Sequence, residues 1–452
     1  MSRGFESHTL RFLPVRTRVS QTSRTGARGR KTVARHGRLR SPHPFASLMK
    51  MLGIVAAVVL VSGLGVSAYA YYDLTTSFAS EAVELEGQGS VPPDIGAIEG
   101  GVNLLLVGTD ECEPEYAYLF GDRCTGPDAE GQLNDVNMLL HISDNPRRVT
   151  VISFPRDLMV SIPSCTREDG SETGGSSYEQ INSAWNYGGL NCVVKTVSQL
   201  SGMNIPFAAK VSFGNVIDIT DAIGGVDVCI GNGGMRDRYT GIDWAAGPRN
   251  VQGVEALQFL RTRYGLENGS DLARISNQQQ YMSSLARKLV SEEVLTNPST
   301  LLRLATTVVD NVTPSQSLTN PVTMVQIARA VQGVPFEEMV FVRYPVFDDP
   351  SNPNRVVPDE AAAEQLWAAL EANQPLQLTS DPNLSGGVIT ADPAPTDAPA
   401  EGEPTEPTEP VEPTEGAAPV EPSPTETAAV LPDSIQGQTA AQETCSAGNL
   451  SG

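Results

Sequence analysis

GVNLLLVGTD (residues 101–110) is the stretch whose reading decides the fold. Its apolar residues, Val102 and Leu104 to Val107, run on without alternation until Gly108 stops them. A short continuous apolar run closed by glycine is the pattern of a strand covered on both faces. Working outward, VNMLLHIS (136–143) and RRVTVISFP (147–155) repeat the pattern, with the turn residues Asp144, Asn145 and Pro146 between them. INSAWNYGGLNCVVKTVSQLSG (181–202) predicts a helix stopped at Gly202, and FAAKVSFGNVIDITDAIGGVDVCI (207–230) alternates helix and strand signals around Gly224 and Gly225. VEALQFLRTRY (254–264) sets apolar residues at 254, 257 and 260, one helix face. ISNQQQYMSSLARKLVSEEVL (275–295) predicts a longer amphipathic helix with Ile275, Met282, Leu285, Leu289 and Leu295 as its stripe. Further helical patterns cover 301–309, 322–331 and 359–372. Strands interleaved with helices predict an α/β layered domain over residues 96–376.

The charge is unevenly spread. The net charge is -22, yet residues 1–50 carry twelve Lys/Arg against Glu6 alone. No Lys or Arg follows Arg355, and twelve Asp/Glu follow Gly386. The part that folds is therefore acidic in itself, which excludes a general nucleic-acid binder. The basic leader, 1–50, reads as a disordered cytoplasmic segment touching anionic lipid. MLGIVAAVVLVSGLGVSAYAYY (51–72) has no charge and is long enough to cross a hydrocarbon core of about 30 Å. Lys50 and the leader precede it, and Asp73, Glu81 and Glu84 follow. The positive-inside rule then puts the N-terminus in the cytoplasm and the remainder outside, with Tyr69, Tyr71 and Tyr72 at the outer interface. So long a leader favours an uncleaved signal-anchor over a signal peptide.

Residues 73–95 read as a polar stalk. Residues 377–452, which include EPTEPTEPVEPTE, read as an acidic disordered tail. All six cysteines follow the apolar segment, and none shows CxxC spacing. Cys112 with Cys124, and Cys165 with Cys192, bracket loops and read as disulfides of an exported domain. Cys229 and Cys445 are either a bridge tying down the tail or two free thiols.

Polar residues gather at four places beside the predicted strands: Asp110, Asp135, Arg156-Asp157, and the group Arg261, Arg263, Asp271, Arg274. Each has an ordinary explanation. Asp110 closes a turn, Arg156-Asp157 is a solvated pair, Asp271 caps a helix, and His141 packs between strands. Together they meet one chemical demand. Several fixed guanidinium forks suit a pyrophosphate, and carboxylates beside it need a divalent cation between them, a role that suits Mg²⁺. Phosphoryl transfer is then mostly positioning and charge stabilisation. There is no Walker loop, no dinucleotide fingerprint and no GxSxG elbow, so a soluble nucleotide and a serine hydrolase are poor readings.

In this order, NLLLVGTD, NDVNMLLHIS, VISFPRDLMVSIP, INSAWNYGG, IGGVDV, VEALQFLRTRY and GSDLARISNQQQ resemble the LytR-CpsA-Psr family of membrane-anchored cell-wall phosphotransferases. The resemblance spans residues 103–280. It implies a three-layer α/β/α domain with a central mixed sheet behind a single transmembrane helix. It also implies a hydrophobic tunnel for a polyprenyl chain, with a charged mouth for pyrophosphate and Mg²⁺ (or Mn²⁺). The implied reaction moves a glycopolymer from its polyprenyl-pyrophosphate carrier to peptidoglycan. Carried over by motif, Asp110, Asp135 and Asp271 are metal-side carboxylates. Arg156, Arg261, Arg263, Arg274 and Gln278 bind pyrophosphate, and Arg156, Arg263 and Asp135 are catalytic.

The chain departs from the family pattern at Leu133 and Asn277, where arginines are common, and the segment 111–132 widens the gap between Asp110 and Asp135. Arg123 and Arg236, both in predicted loops, are the cations available to compensate. Arginine far outnumbers lysine, as in a GC-rich actinobacterium, where the polymer would be arabinogalactan. A polyprenyl-pyrophosphate phosphatase and a non-catalytic lipid-binding wall protein are the alternatives.

Overall fold

The computed structural model describes residues 44–89, 101–126, 131–291, 294, 297–391 and 427–452. Most of the basic leader, residues 90–95 of the expected stalk, Leu295, the Tyr69 and Tyr71 side chains and the EPTEPTEPVEPTE stretch lie outside them. Residues 1–65 and 66–452 form separate units. Helix Pro44–Ser80 contains the window Leu48–Gly65, which is apolar and long enough to cross a membrane.

A seven-stranded mixed sheet forms the centre of the larger unit. Its order is Val312–Pro314, Phe207–Ser212, Val102–Thr109, Asn134–Ile142, Val149–Phe154, Met339–Arg343, Gly437–Thr439. Val102–Thr109 is parallel to Phe207–Ser212 and antiparallel to Asn134–Ile142, and Val149–Phe154 is parallel to Met339–Arg343. Both faces are covered, as the unbroken apolar runs require. Leu105, Val107, Leu139 and Ile152 face a core packed with Val193, Val197 and Leu366. Their neighbours Leu104, Met138 and Val151 face the opposite core with Ile327 and Met282. Side chains alternate across a strand, so one apolar run feeds two cores. Helices Ala184–Ser201 and Glu360–Glu371 lie on the first face, Asp271–Leu289 and Pro321–Gln332 on the second, giving the expected three layers. The first of these helices stops where predicted, at Gly202, which takes φ 72°.

Two boundaries differ from expectation. The stalk does not stand free: Phe78 is buried, Val83 bridges to Ser315, and Glu86 pairs with Lys195 at 3.1 Å. Short apolar residues among polar ones concealed this docking. The expected tail also fails as a single disordered stretch. Val388–Thr390 and Thr444–Ser446 join Val226–Asp237 and Ile242–Val251 in a second sheet, and Gly437–Thr439 forms an edge of the main one. The acidic repeat dominated the composition of 377–452 and hid the ordered ends on either side of it. Cys229 and Cys445 are bridged, which closes the alternative of free thiols. Cys112–Cys124 and Cys165–Cys192 pair as read.

Candidate functional site

Strand register brings the predicted residues to one end of the main sheet. Thr109 pairs with Asn134, Asn137 with Phe154, and Ser153 with Arg343. Asp110, Asp135 and Arg156 therefore leave neighbouring strands at one edge. From the second face, helix Val254–Arg261 ends and helix Asp271–Leu289 begins there.

Five of the predicted side chains join directly. Arg156 Nη1 lies 2.9 Å from Asp135 Oδ2, and Arg156 Nε lies 3.5 Å from Asp271 Oδ1. The same Asp271 oxygen takes Arg263 Nη2 and Arg274 Nη2, each at 2.7 Å. Burial alone would lower the Arg156 pKa, but Asp135, Asp271 and Asp157 outweigh it and hold it above its ordinary value. Arg274 is pulled below its ordinary value by burial, with Asp271 opposing. Arginine's very high ordinary pKa keeps both charged at neutral pH. Asp135 Oδ1 and Asp271 Oδ2 are buried and make no hydrogen bond within the protein. Asp271 was read as a possible helix cap; the cap is Ser270, whose side chain accepts from Ala273 N–H. That frees the Asp271 carboxylate for three arginines.

The other three predicted residues stand apart from this network. Asp110 accepts from Leu133 N–H at 2.8 Å and pairs with Arg123 at 3.2 Å. Arg123, in the short helix Asp122–Thr125, is thus paired with Asp110, and Arg236 with exposed Asp243. The Arg261 guanidinium lies 4.6 Å from the centre of the Phe120 ring, and burial lowers its pKa against the pull of Asp135 and Asp110. Gln278 donates to the Leu260 carbonyl at 2.9 Å. His141 packs as read, with its ring nitrogen 2.8 Å from Asn103 Oδ1.

Sequence reasoning missed Arg343 and the surroundings of Asp157. Arg343 is buried behind Asp271, its pKa pushed down to about 10 by burial while Asp271 opposes. Asp157 accepts from Gln180 at 2.7 Å and pairs with Arg355 at 3.3 Å. An arginine ending the apolar strand MVFVR was the available signal for Arg343.

Two cavities are lined by predicted site residues. One, about 200 Å³, is apolar and lies between the sheet and the helices, lined by Leu106, Met138, Val216 and Leu257, with Arg261 and Gln278 in its wall. The other, about 410 Å³, is polar and lined by Arg156, Asp157, Arg263, Asp271 and Arg355. A larger depression of about 840 Å³ lies elsewhere, against Tyr178 and Trp367, so size alone does not locate the chemistry.

The LytR_cpsA_psr family model matches residues 68–372. The chain belongs to the LytR-CpsA-Psr family. Among its relatives, the cell wall biosynthesis protein LcpA of Corynebacterium glutamicum is 30% identical over 295 residues, 60% of this chain and 54% of LcpA. The chain thus spans about half the length of that relative. A polyisoprenyl-teichoic acid–peptidoglycan teichoic acid transferase, TagU of Bacillus cereus, is 27% identical over 275 residues, covering 60% of this chain and 80% of TagU. A LytR-Csp2A-Psr enzyme structure from Actinomyces oris is 20% identical with a TM-score of 0.46, covering 64% of this chain and 95% of that one. Every site residue described here falls within the span matched by the LytR-CpsA-Psr model.

Proposed function

We propose that this LytR-CpsA-Psr protein is a membrane-anchored phosphotransferase that moves a glycopolymer from a polyprenyl-pyrophosphate carrier to peptidoglycan. The observation that carries the reading is the ion-paired cluster of Arg156, Arg263, Arg274, Asp135 and Asp271, beside an apolar cavity with Arg261 in its wall. The apolar cavity suits the isoprenoid and the arginine cluster the pyrophosphate. The polar cavity faces the sugar side. At about 200 Å³ the apolar cavity is smaller than the usual ligand pocket of about 300–1,000 Å³. On this reading the helices around it must part for a long chain.

A divalent cation, Mg²⁺ or Mn²⁺, fits the carboxylates. Asp135 Oδ1 and Asp271 Oδ2 are buried and free of protein partners. Among the described residues no group of three or more His, Cys, Asp or Glu could hold a metal alone. The cation in this reading is bound by one or two carboxylates and completed by phosphate oxygens. When bound, the cation neutralises charge on the pyrophosphate. Asp110 is the poorest fit, since both its oxygens are engaged.

In the proposed step the acceptor hydroxyl oxygen bonds to the sugar-side phosphorus, the bridging P–O bond breaks, and polyprenyl phosphate leaves. Arg156, Arg263 and Arg274 hold the phosphate oxygens, and Asp135 takes the hydroxyl proton. The apolar window Leu48–Gly65 serves as the anchor. The leader is cytoplasmic and the domain outside, where three disulfides are stable. The excess of arginine over lysine is the compositional ground for naming arabinogalactan as the polymer.

The deciding experiment gives the purified chain a polyprenyl-pyrophosphate-linked sugar, with and without Mg²⁺ and peptidoglycan. Metal-dependent, peptidoglycan-linked product is expected. Carrier release indifferent to acceptor would make it a phosphatase, and binding without release a lipid-binding protein.

A further inference from the structure

The loop carrying Arg263 into Asp271 is held from behind by residues 444–449. Asn449 N–H donates to the Gly265 carbonyl at 2.8 Å, and Glu267 N–H donates to the Ala447 carbonyl at 2.9 Å. Arg236 N–H donates to the Asn449 carbonyl at 2.8 Å, so the segment is clamped between the second sheet and the site loop. Ser446 Oγ donates to Asn277 Oδ1 at 2.6 Å, and Gln280 Nε2 donates to the Thr444 carbonyl at 2.7 Å, both on the helix of Asp271 and Arg274. Asn277 passes the contact on, donating to the Phe259 carbonyl on the helix of Arg261.

The packing leaves no slack. Ser446 and Ala447 are wholly buried. A side chain at Gly448 would place its Cβ 2.2 Å from the Gly234 carbonyl oxygen. Just upstream, Gly437–Thr439 pairs with Met339–Arg343, which lies beside the strand leading to Arg156. Residues 444–449 and the edge strand just upstream of them therefore reach both halves of the cluster: the strand beside the one leading to Arg156, and the loop and helix of Arg263, Asp271 and Arg274. The halves meet through the Arg156–Asp271 contact at 3.5 Å. A shift of about 1 Å is enough to spoil such positioning. This segment lies beyond the family-matched residues 68–372.

We propose that residues 444–449 are a positioning element of the arginine cluster, setting the spacing between its halves and hence its grip on a phosphate ligand. The proposal rests on reading that cluster as a pyrophosphate site. The test uses the full chain with Gly448→Val and with Asn449→Pro, which removes the N–H donated to Gly265. Inorganic pyrophosphate, geranylgeranyl pyrophosphate and geranylgeraniol are the calorimetric probes, in Mg²⁺.

Both variants are expected to bind the two pyrophosphate probes at least tenfold more weakly, with geranylgeraniol binding unchanged. Asn449→Gln, which keeps the backbone N–H, should restore the pyrophosphate affinity. Should Gly448→Val fail to fold, Asn449→Pro decides. Wild-type affinity for pyrophosphate in a folded variant overturns the proposal, and so does an equal loss of geranylgeraniol. A wild-type chain that binds neither pyrophosphate probe overturns the site reading beneath it.

Discussion

Arg156 bears on both carboxylates that the protein leaves half-satisfied. Removing it strands Asp135 and Asp271 in a buried place with one cation fewer, and it removes the donor closest to both halves of the cluster. Arg156→Ala is expected to lower transfer by about 10²–10³, the usual cost of one preorganised charge-stabilising donor. Single-turnover assays with a lipid-linked donor measure this, and circular dichroism checks that the fold survives. Arg156→Lys should rescue little, because an ammonium cannot reproduce a planar fork reaching two carboxylates.

A second prediction at this scale concerns His141. Burial pushes its pKa down to about 4 from an ordinary 6.5. The unfolded chain therefore binds the proton first as pH falls, and stability drops between about pH 6.5 and 4, by up to about 3 kcal/mol. Urea titrations at pH 7 and pH 4.5 should show that loss, and His141→Gln should flatten it. An unchanged slope in the variant would remove His141 as its cause.

At the scale of the element, the helix Asp271–Leu289 shows what was legible and what was not. Its arginine and most of its stripe were readable, but it starts one turn earlier and ends six residues sooner than the 275–295 expected from the apolar pattern. The Gln-rich run was not readable: Asn277, Gln278, Gln279 and Gln280 are buried, where composition suggested a polar face. Asn277, Gln278 and Gln280 are tolerated because they serve backbone carbonyls, while the Gln279 amide nitrogen is buried without a hydrogen-bond partner. Asn277 and Gln278 donate to Phe259 and Leu260, in the last turn of the preceding helix, whose carbonyls lack helical partners. Such pairings depend on which helix end comes near, and no spacing within one helix announces that. Arg343 and the partners of Asp157 escaped for the same reason, since Gln180 and Arg355 are distant from Asp157 in sequence and Asp271 from Arg343. Asp110, Asp135, Arg156 and Asp271 were legible because each stands at the end of a strand or helix whose apolar pattern is strong. Ser270 caps this helix, and Ser270→Ala should cost about 1 kcal/mol. Chemical denaturation would measure that, and Ser270→Asp should recover it.

For the whole molecule, the Cys229–Cys445 bridge spans 216 residues and Cys112–Cys124 only 12. On the chain-entropy account the longer loop contributes up to about 5 kcal/mol and the shorter about 3. Serine pairs at 229/445 should therefore lower the melting temperature more than serine pairs at 112/124. Equal shifts in calorimetry would show that loop length is not what these bridges contribute.

The main sheet borrows its last strand, Gly437–Thr439, from the far side of residues 392–426. Until residues 437–439 have been synthesised and docked, Met339–Arg343 offers an unpaired edge of backbone donors and acceptors. Open edges invite pairing between neighbouring chains, and such non-local closure is slow. Newly made copies thus pass through a sticky interval that ends only when residues 437–446 dock, and chaperones have most to offer this protein then.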